Sequence, residues 1–163
     1  MRALGLLSVA LLVGVAVWLL VGRGMSSDEV EVFDRQGLVT RVVDGDTLRA
    51  RIGTSTERVR LIGIDAPERG ECYSTRASAL LRVLALGRVV RLLGDATQHA
   101  RDRFGRLLAY VALPGGDDAG LVLLARGAAV VFETRPRFSQ HDEYSEAQTE
   151  AARRAAGLHG ACR

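Results

Sequence analysis

Charged side chains gather at the end of a short apolar segment near the middle of the chain. Residues 60–68 read RLIGIDAPE, which places Arg60, Asp65 and Glu68 around a run of Leu and Ile. Such a run is typical of a buried strand, and Pro67 ends it because proline cannot donate to a strand hydrogen bond. We therefore expect Asp65 at the last rung of the strand. Unpaired buried charge is costly, so a cation and two carboxylates at this point indicate a bound metal ion with a phosphate.

A second acidic motif lies earlier, where residues 43–47 read VDGDT. Asp-Gly is a strong hairpin signal, so a plain turn is the alternative interpretation. An EF-hand is excluded because, with Asp44 first in the loop, its last ligand would be Ser55 instead of glutamate. A cation at Asp46 therefore needs a carboxylate from elsewhere, and Asp65 is the best donor. Two carboxylates with carbonyl and water oxygens suit a hard cation, and Ca²⁺ fits an extracellular site.

The third motif is DRFGR at residues 102–106, immediately before an apolar segment. Taken alone, it is typical of a solvated turn with surface arginines. Its interest lies in its order along the chain, because it follows the other two motifs.

These motifs must be held by short strands and a few helices. Glycine and proline punctuate apolar stretches of period two, and three other stretches have the 3.6-residue period of a helix. We predict strands at 38–43, 48–52, 58–64, 89–93 and 107–113, helices at 71–86, 119–126 and 143–156, and an extended segment at 128–132.

The predicted order is typical of a small closed barrel, since closure removes exposed strand edges. One helix follows the third strand, which fits a five-stranded OB-type barrel. The fold class is therefore mainly β with α (α+β), a five-stranded OB-fold barrel with about three packed helices. We assign this domain to residues 36–163.

Composition agrees with a globular domain but does not decide its partner. The 163 residues are 48% hydrophobic and 25% charged, with a formal net charge of +3. All 22 basic residues are arginines, so every cation can form a forked contact with phosphate or carboxylate. This charge is compatible with nucleic acid, acidic lipid or neither.

The amino terminus predicts a location outside the cytoplasm. Residues 3–22 carry no charge and are long enough to cross a bilayer as a helix. Ala-x-Ala is absent near the end of this segment, which favours an uncleaved single-pass membrane anchor over a cleaved signal of a secreted protein. We assign residues 1–24 to this segment and residues 25–35 to a linker. Cys72 and Cys162 are either inert thiols or a disulfide, and an oxidising compartment favours the disulfide.

Together, the motifs VVDGDT, VRLIGIDAPE and DRFGRLLAYV resemble those of the staphylococcal nuclease (thermonuclease) family. The resemblance covers residues 36–163 and implies calcium-dependent hydrolysis of phosphodiester bonds in DNA, RNA or both. It implies that Asp46 and Asp65 bind Ca²⁺ through their carboxylates. Ala66 would bind through its backbone carbonyl, where the type member has threonine.

The resemblance also implies the groups that perform the reaction. Glu68 would activate the attacking water, and Arg60 and Arg106 would flank the scissile phosphate. Guanidinium groups stabilise the charge that builds on the phosphate oxygens, and a carboxylate near the water can accept its proton. We expect Asp44 to shape the turn or hold a water, with Thr47 in support. Arg60 is expected to lack its main partner in the ligand-free enzyme.

Two aromatic residues are candidates for contact with bases. Phe104 stands where the family often has a tyrosine near the nucleotide, and Phe132 stands where others place an aromatic ring. Base stacking is sequence-tolerant, so we expect low sequence specificity and a marked salt dependence. For both residues, packing in the core is the alternative.

The sequence thus predicts a calcium-dependent endonuclease acting on nucleic acid. The alternative is a catalytically weak or inactive OB-fold module that binds nucleic acid. The presence of both carboxylates, the glutamate and both arginines favours the enzyme. Nothing in the sequence requires an obligate protein partner, so we expect a monomer, attached to the membrane if the N-terminal segment is uncleaved.

Overall fold

A computed structural model describes residues 32–162 of the chain. The predicted segment 1–24 lies outside this range, and so do residues 25–31 of the predicted linker. Within the described residues, no helix is long and apolar enough to cross a membrane.

Five strands close into a barrel in the order β1-β2-β3-β6-β5, which confirms the predicted fold class. All neighbouring pairs are antiparallel except β3 and β6, which run parallel. The barrel strands are β1 (Asp34–Val42), β2 (Thr47–Ile52), β3 (Ser55–Leu61), β5 (Val89–Leu93) and β6 (Leu107–Ala112).

Four helices and a second, two-stranded sheet complete the described part of the chain. β4 (Ile64–Asp65) pairs with β7 (Val130–Val131). The helices are α1 (Ser74–Ala85), α2 (Ala119–Ala125), α3 (His141–Arg153) and the short α4 (Leu158–Ala161).

Alternation of apolar and polar residues explains the barrel. In β2 and β3, Leu48, Ala50 and Val59 are fully buried, whereas Arg49 and Arg58 between them are exposed. This period of two puts one face of each strand in the core and the other in solvent. Leu81 of α1 belongs to the same apolar core, as do Leu123 and Leu124 of α2.

The predicted third strand at 58–64 is wrong in one respect, because a turn divides it into β3 and β4. Gly63 has a φ of 72°, which glycine adopts without steric cost. A Cβ on Gly63 would lie 2.5 Å from the ring of Phe138, so no larger residue fits. Asp65 is therefore not on the last rung of the barrel strand. It lies on β4, beside Val130 of β7.

The two cysteines form the predicted disulfide. Cys72 lies just before α1 and Cys162 just after α4, and 90 residues separate them. On the chain-entropy account, closing a loop of this length stabilises a fold by roughly 4–5 kcal/mol. The bond fastens the C-terminal end of the described chain to the segment that follows Glu68.

Candidate active site

Arg60 lies at the centre of the site and binds both predicted metal ligands. Its Nε is 3.1 Å from Oδ1 of Asp46, and its Nη2 donates to Oδ1 of Asp65 at 2.9 Å. The expectation that Arg60 lacks its main partner is therefore wrong. The turn at Gly63 explains the difference, because it returns the chain toward β3 and brings Asp65 back to the arginine.

Backbone carbonyls fix the direction of the Arg60 side chain. Its Nη1 donates to Leu61 O at 2.8 Å and to Ile64 O at 2.6 Å. Arg60 thus has four oxygen partners, two charged and two neutral. Only 12% of its side-chain surface is exposed. The guanidinium is held in one orientation between the two carboxylates.

Asp46 is a buried carboxylate with few compensating partners. Its Oδ1 accepts from the Thr47 hydroxyl at 2.9 Å, and its Oδ2 accepts from Ala66 N at 2.9 Å. Burial raises the pKa of Asp46 to about 6, although the Arg60 charge and the Ala66 N–H oppose this rise. The ionised form is therefore held at a cost in this environment, which a further cation would reduce.

Gly45 allows the turn of β1 and β2 to approach Ala66. A Cβ on Gly45 would lie 2.5 Å from the Cβ of Ala66 and 2.9 Å from that of Ala77. Asp44 accepts a hydrogen bond from Asp46 N through its Oδ1 at 3.1 Å, which fixes the turn locally. Close packing at glycine thus brings Asp46 beside the chain segment that carries Asp65.

Arg106 is positioned by a different carboxylate. Its Nε donates to Oδ2 of Asp102 at 2.6 Å, and its backbone N donates to Oδ1 at 2.9 Å. Burial alone would raise the pKa of Asp102, but hydrogen bonds from Arg106 and Phe104 N hold that pKa below its usual range. Nη1 of Arg106 makes a long contact of 3.5 Å with the Thr47 hydroxyl. Thr47 therefore links Asp46 to Arg106.

Both candidate arginines and both candidate aromatic residues line one cavity of about 470 Å³. The phenyl rings lie largely in solvent, with Phe104 62% and Phe132 50% exposed. Packing in the core, the alternative interpretation for both residues, is therefore wrong. Gln98, Arg103 and Thr134 also line this cavity. The arrangement offers cations for a phosphate and flat apolar faces for a base.

Glu68 lies on the other side of Asp65, in a second cavity of about 270 Å³. Its side chain is exposed, and its backbone N donates to Oε2 of Glu71 at 2.7 Å. Asp65 and Ala66 line the same cavity. Asp65 is thus shared, since it touches Arg60 and also borders the cavity of Glu68. The predicted arginines, carboxylates and aromatic residues are thus connected, but Glu68 joins them only through the cavity that it shares with Asp65 and Ala66.

The donor set fits a hard cation only with help from the backbone. Among residues 32–162, no group of three His, Cys, Asp or Glu side chains is arranged to hold a metal. Two carboxylates that touch the same guanidinium are nevertheless close neighbours, and oxygen donors suit Ca²⁺. Asp46, Asp65 and the carbonyl of Ala66 are the residues that could hold it.

Sequence analysis missed Asp102 as a positioning residue. The signal was present, because Asp102 precedes Arg106 by four residues in DRFGR and aspartate often caps its own turn. Gln98 and Thr134 were also missed, and neither lies in a motif. They reach the cavity only through the folding of two loops that are distant in sequence.

Several known proteins are similar to this chain in sequence. The profile of staphylococcal nuclease homologues matches residues 58–159. The chain is 33% identical over 135 residues to a micrococcal nuclease of Shigella flexneri, which covers 77% of this chain and 74% of that protein. It is 34% identical over 128 residues to a thermonuclease of Staphylococcus intermedius, covering 71% and 74%.

An uncharacterized endonuclease of Escherichia coli O157:H7 is 36% identical over 100 residues, which is 61% of this chain and 63% of that relative. The match thus spans less than two thirds of the E. coli relative. The fold and site define a closed OB-type barrel with an arginine and carboxylate site at one end. The chain belongs to the staphylococcal nuclease family.

Proposed function

We propose that this protein is a calcium-dependent nuclease that hydrolyses phosphodiester bonds in DNA, RNA or both with low sequence specificity. The observation that carries the proposal is the convergence of Arg60 and Arg106 on one cavity beside two carboxylates. The names of similar proteins, a micrococcal nuclease and a thermonuclease, support the same class of reaction.

Substrate binding follows from the larger cavity. The two guanidinium groups can each offer a forked contact to phosphate oxygens, and such contacts strengthen as charge builds during attack. The exposed rings of Phe104 and Phe132 can stack on bases, which contributes about 1–3 kcal/mol per base with little regard to sequence. Phosphate contacts with non-selective stacking explain low specificity.

Glu68 is the residue we assign to the water. Its exposed carboxylate borders the cavity that also contains Asp65, so a water there can reach both side chains. A carboxylate within hydrogen-bond reach accepts a proton from the attacking water. Ca²⁺ held by Asp46, Asp65 and the Ala66 carbonyl would supply positive charge to the phosphate.

Arg60 must change partners for this reaction. In the structure, Arg60 forms ion pairs with Asp46 and Asp65. A bound cation would compensate those carboxylates, and the guanidinium would then be available for phosphate oxygens. The ion pairs of Arg60 therefore balance the negative charge of Asp46 and Asp65 until a cation and the substrate bind.

The test is degradation of single-stranded DNA by the domain, with Ca²⁺ or with EGTA. We expect cleavage that requires Ca²⁺ and falls about 10²–10⁴-fold in Glu68→Gln, the usual range for loss of a general base. Glu146→Gln, an exposed glutamate on α3, is the matched control and should cleave like the wild type. Binding without cleavage by the wild type would leave the nucleic-acid-binding module as the function.

We also propose that the domain lies outside the cytoplasm, anchored by residues 1–24 or secreted. The Cys72–Cys162 bond supports this placement, since structural disulfides persist in oxidising compartments. A thiol reagent applied to denatured protein from cells should label neither cysteine. Labelling of both would contradict the placement, and the N-terminal residue of the mature protein would distinguish anchor from signal.

A further inference from the structure

Three arginines stand directly opposite one another on neighbouring strands of the barrel. The register pairs Arg41 of β1 with Arg49 of β2, and Arg49 with Arg58 of β3. Residues that are directly opposite share a face and lie close together. We call Arg41, Arg49 and Arg58 the arginine ladder.

The ladder faces solvent, because its members are exposed and alternate with buried residues such as Leu48 and Val59. Within residues 32–162, no salt bridge joins any of the three to a carboxylate. Like charges directly opposite each other destabilise a sheet. The fold therefore tolerates a repulsion that an anionic ligand would relieve.

The arginine ladder adjoins the candidate active site, because Arg58 and Arg60 are neighbours on one face of β3. Arg58 precedes Arg60 by two residues in β3, so their side chains leave the same face of the strand about 7 Å apart. Thr47, opposite Arg60, is likewise two residues from Arg49. On the other side, Arg60 is paired with Leu108 of β6, which lines the cavity of Phe104 and Phe132. Arg60 thus lies between that cavity and the ladder.

We propose that the arginine ladder binds the phosphates of a substrate strand beyond the scissile bond, so that the preferred substrate is a polynucleotide instead of a dinucleotide. This inference rests on the proposed nuclease function. The two-residue step along β3 from Arg60 to Arg58, about 7 Å, is comparable to the distance between successive phosphates of an extended nucleotide chain. Arg58 stands beside Arg60 along β3, and Arg49 and Arg41 continue from Arg58 across β2 and β1. These three cations can therefore extend the phosphate contact of Arg60 onto the outer face of the barrel.

Two features favour nucleic acid over an acidic lipid surface as the ligand. The ladder is continuous with Arg60, whereas a lipid surface would need no alignment with the site. Strands β2 and β3 also form the face on which OB barrels generally bind oligonucleotides. Arg51 lies two residues beyond Arg49 on β2 and is also exposed, so it adds a further cation to the same face of the barrel.

Binding can be measured without cleavage in EDTA. The probe is a labelled DNA single strand of about 20 nucleotides, which is longer than the roughly 4–16 nucleotides that one OB barrel covers. The variant is Arg49→Thr/Arg58→Thr, because threonine suits a strand. The control is Arg153→Ala/Arg154→Ala, which removes the same charge from the end of α3. We expect the ladder variant to bind about three- to tenfold more weakly in low salt, the scale of two exposed charge pairs.

Salt dependence gives a second readout. Over about 50–200 mM salt, the slope of log affinity should fall by about 1.4 in the ladder variant, about 0.7 for each lost phosphate contact. The control should keep the wild-type slope. An unchanged slope and affinity in the ladder variant would overturn the proposal. If that variant melts well below the wild type, Arg41→Thr, near the end of β1, provides the same comparison for a single contact.

Cleavage separates this inference from the function on which it rests. With Ca²⁺, the ladder variant should lose kcat/KM on the long strand about as much as it loses affinity, and should cleave a dinucleotide like the wild type. Equal cleavage of both substrates by the variant and the wild type would reject the ladder and leave the nuclease intact. Absence of any cleavage would reject the nuclease, while the EDTA measurement still judges the ladder. Loss of binding to phosphatidylglycerol vesicles with unchanged DNA binding would assign the ladder to lipid.

Discussion

Two buried aspartates, Asp46 and Asp95, show opposite solutions to the same problem. Asp46 is 7% exposed and Asp95 4% exposed, so both carboxylates have left water. Burial raises the pKa of Asp46 to about 6. Burial alone would also raise the pKa of Asp95, but hydrogen bonds, chiefly from Tyr110, hold it at about 2.

The partners explain the difference between the two. Asp95 accepts hydrogen bonds from Thr97 N and Thr97 Oγ1, from Ser139 N and Ser139 Oγ, and from the Tyr110 hydroxyl. These donors come from the segment after β5, from β6 and from the residues before α3. Asp95 therefore fastens the helical part of the chain to the barrel without needing a cation.

Asp46 has only one backbone N–H, one hydroxyl and the Arg60 guanidinium. Its compensation depends on a side chain that we assign to substrate, so the site carries an electrostatic cost in the resting protein. A carboxylate that needs a cation is suited to metal binding, whereas a carboxylate satisfied by dipoles is suited to structure. We therefore predict that substitution of Asp46 lowers activity with little loss of stability, and that substitution of Asp95 lowers stability with little loss of activity.

The largest expected effect is the loss of activity in Asp46→Asn. Asparagine keeps the shape but loses the charge that would hold Ca²⁺, so kcat/KM on DNA should fall about 10²–10³-fold, as for loss of a major electrostatic contact. In EDTA, its free energy of unfolding should stay within about 1 kcal/mol of the wild type or rise, because the amide needs no counter-charge. Urea titration checks the second statement. A large loss of stability would place Asp46 in the same class as Asp95.

The reverse is expected of Asp95→Asn. Its amide would turn an NH₂ group toward the donors on either Oδ1 or Oδ2, such as Thr97 N or Ser139 N, which leaves partly buried donors unsatisfied. We expect a loss of about 3 kcal/mol in the free energy of unfolding, which lowers Tm by roughly 10 °C. Specific activity well below Tm should stay close to that of the wild type. Loss of activity with unchanged Tm would break the comparison.

Sequence alone predicted one of these aspartates and not the other. Asp46 belongs to VDGDT, a motif that can be recognised from neighbouring residues, and its partner Thr47 is adjacent in sequence. Asp95 has partners 15 and 44 residues away, at Tyr110 and Ser139. No spacing rule connects them, because the loop after β5 and the segment before α3 meet only when the barrel is complete.

A contact between distant parts of the chain also explains why the carboxylate partners of Arg60 were not predicted. Residues 58–64 read as one apolar strand, and the barrel itself was predictable from such patterns. The strand breaks at Gly63, which has a φ of 72°. The ring of Phe138, 75 positions further along the chain, occupies the space that a Cβ would need there. The chain bends there and brings Asp65 back to Arg60, whereas the other carboxylate partner, Asp46, comes from the turn between β1 and β2.

The third effect is acid sensitivity that depends on Asp95. The pKa of Asp95 is about 2 in the fold and about 3.9 in an unfolded chain. Because the folded value is the lower one, the stabilisation is fully present above about pH 4 and is lost as pH falls toward about 2. The Tm gap between the wild type and Asp95→Asn should therefore narrow over this range. A gap that stays constant would show that the charge of Asp95 is not what stabilises the fold.

The smallest effect concerns His141, which lies beside the Asp95 cluster at the start of α3. Its Nε2 is 2.9 Å from Oε1 of Glu133 and its Nδ1 is 3.2 Å from Oδ1 of Asp142. Ionised carboxylates only accept hydrogen bonds, so both ring nitrogens are favoured as donors. The hydrogen bonds that His141 donates to Glu133 and Asp142 raise its pKa, against the opposing effects of burial and of the Arg137 charge.

The sign is opposite to that of Asp95. Because the folded pKa is raised, the stabilisation is present below the unfolded value of about 6.5 and is lost as pH rises through the folded one. Glu133→Gln should therefore lower Tm slightly near pH 6 and leave it unchanged near pH 9, with Glu146→Gln as a neutral control. Glu133 directly follows Phe132, which lines the cavity of Arg60 and Arg106. The contact between Glu133 and His141 therefore connects this cavity to α3. An equal Tm loss at both pH values would show that the contact between His141 and Glu133 is a neutral hydrogen bond. Its contribution to stability would then not depend on pH in the direction opposite to that of Asp95.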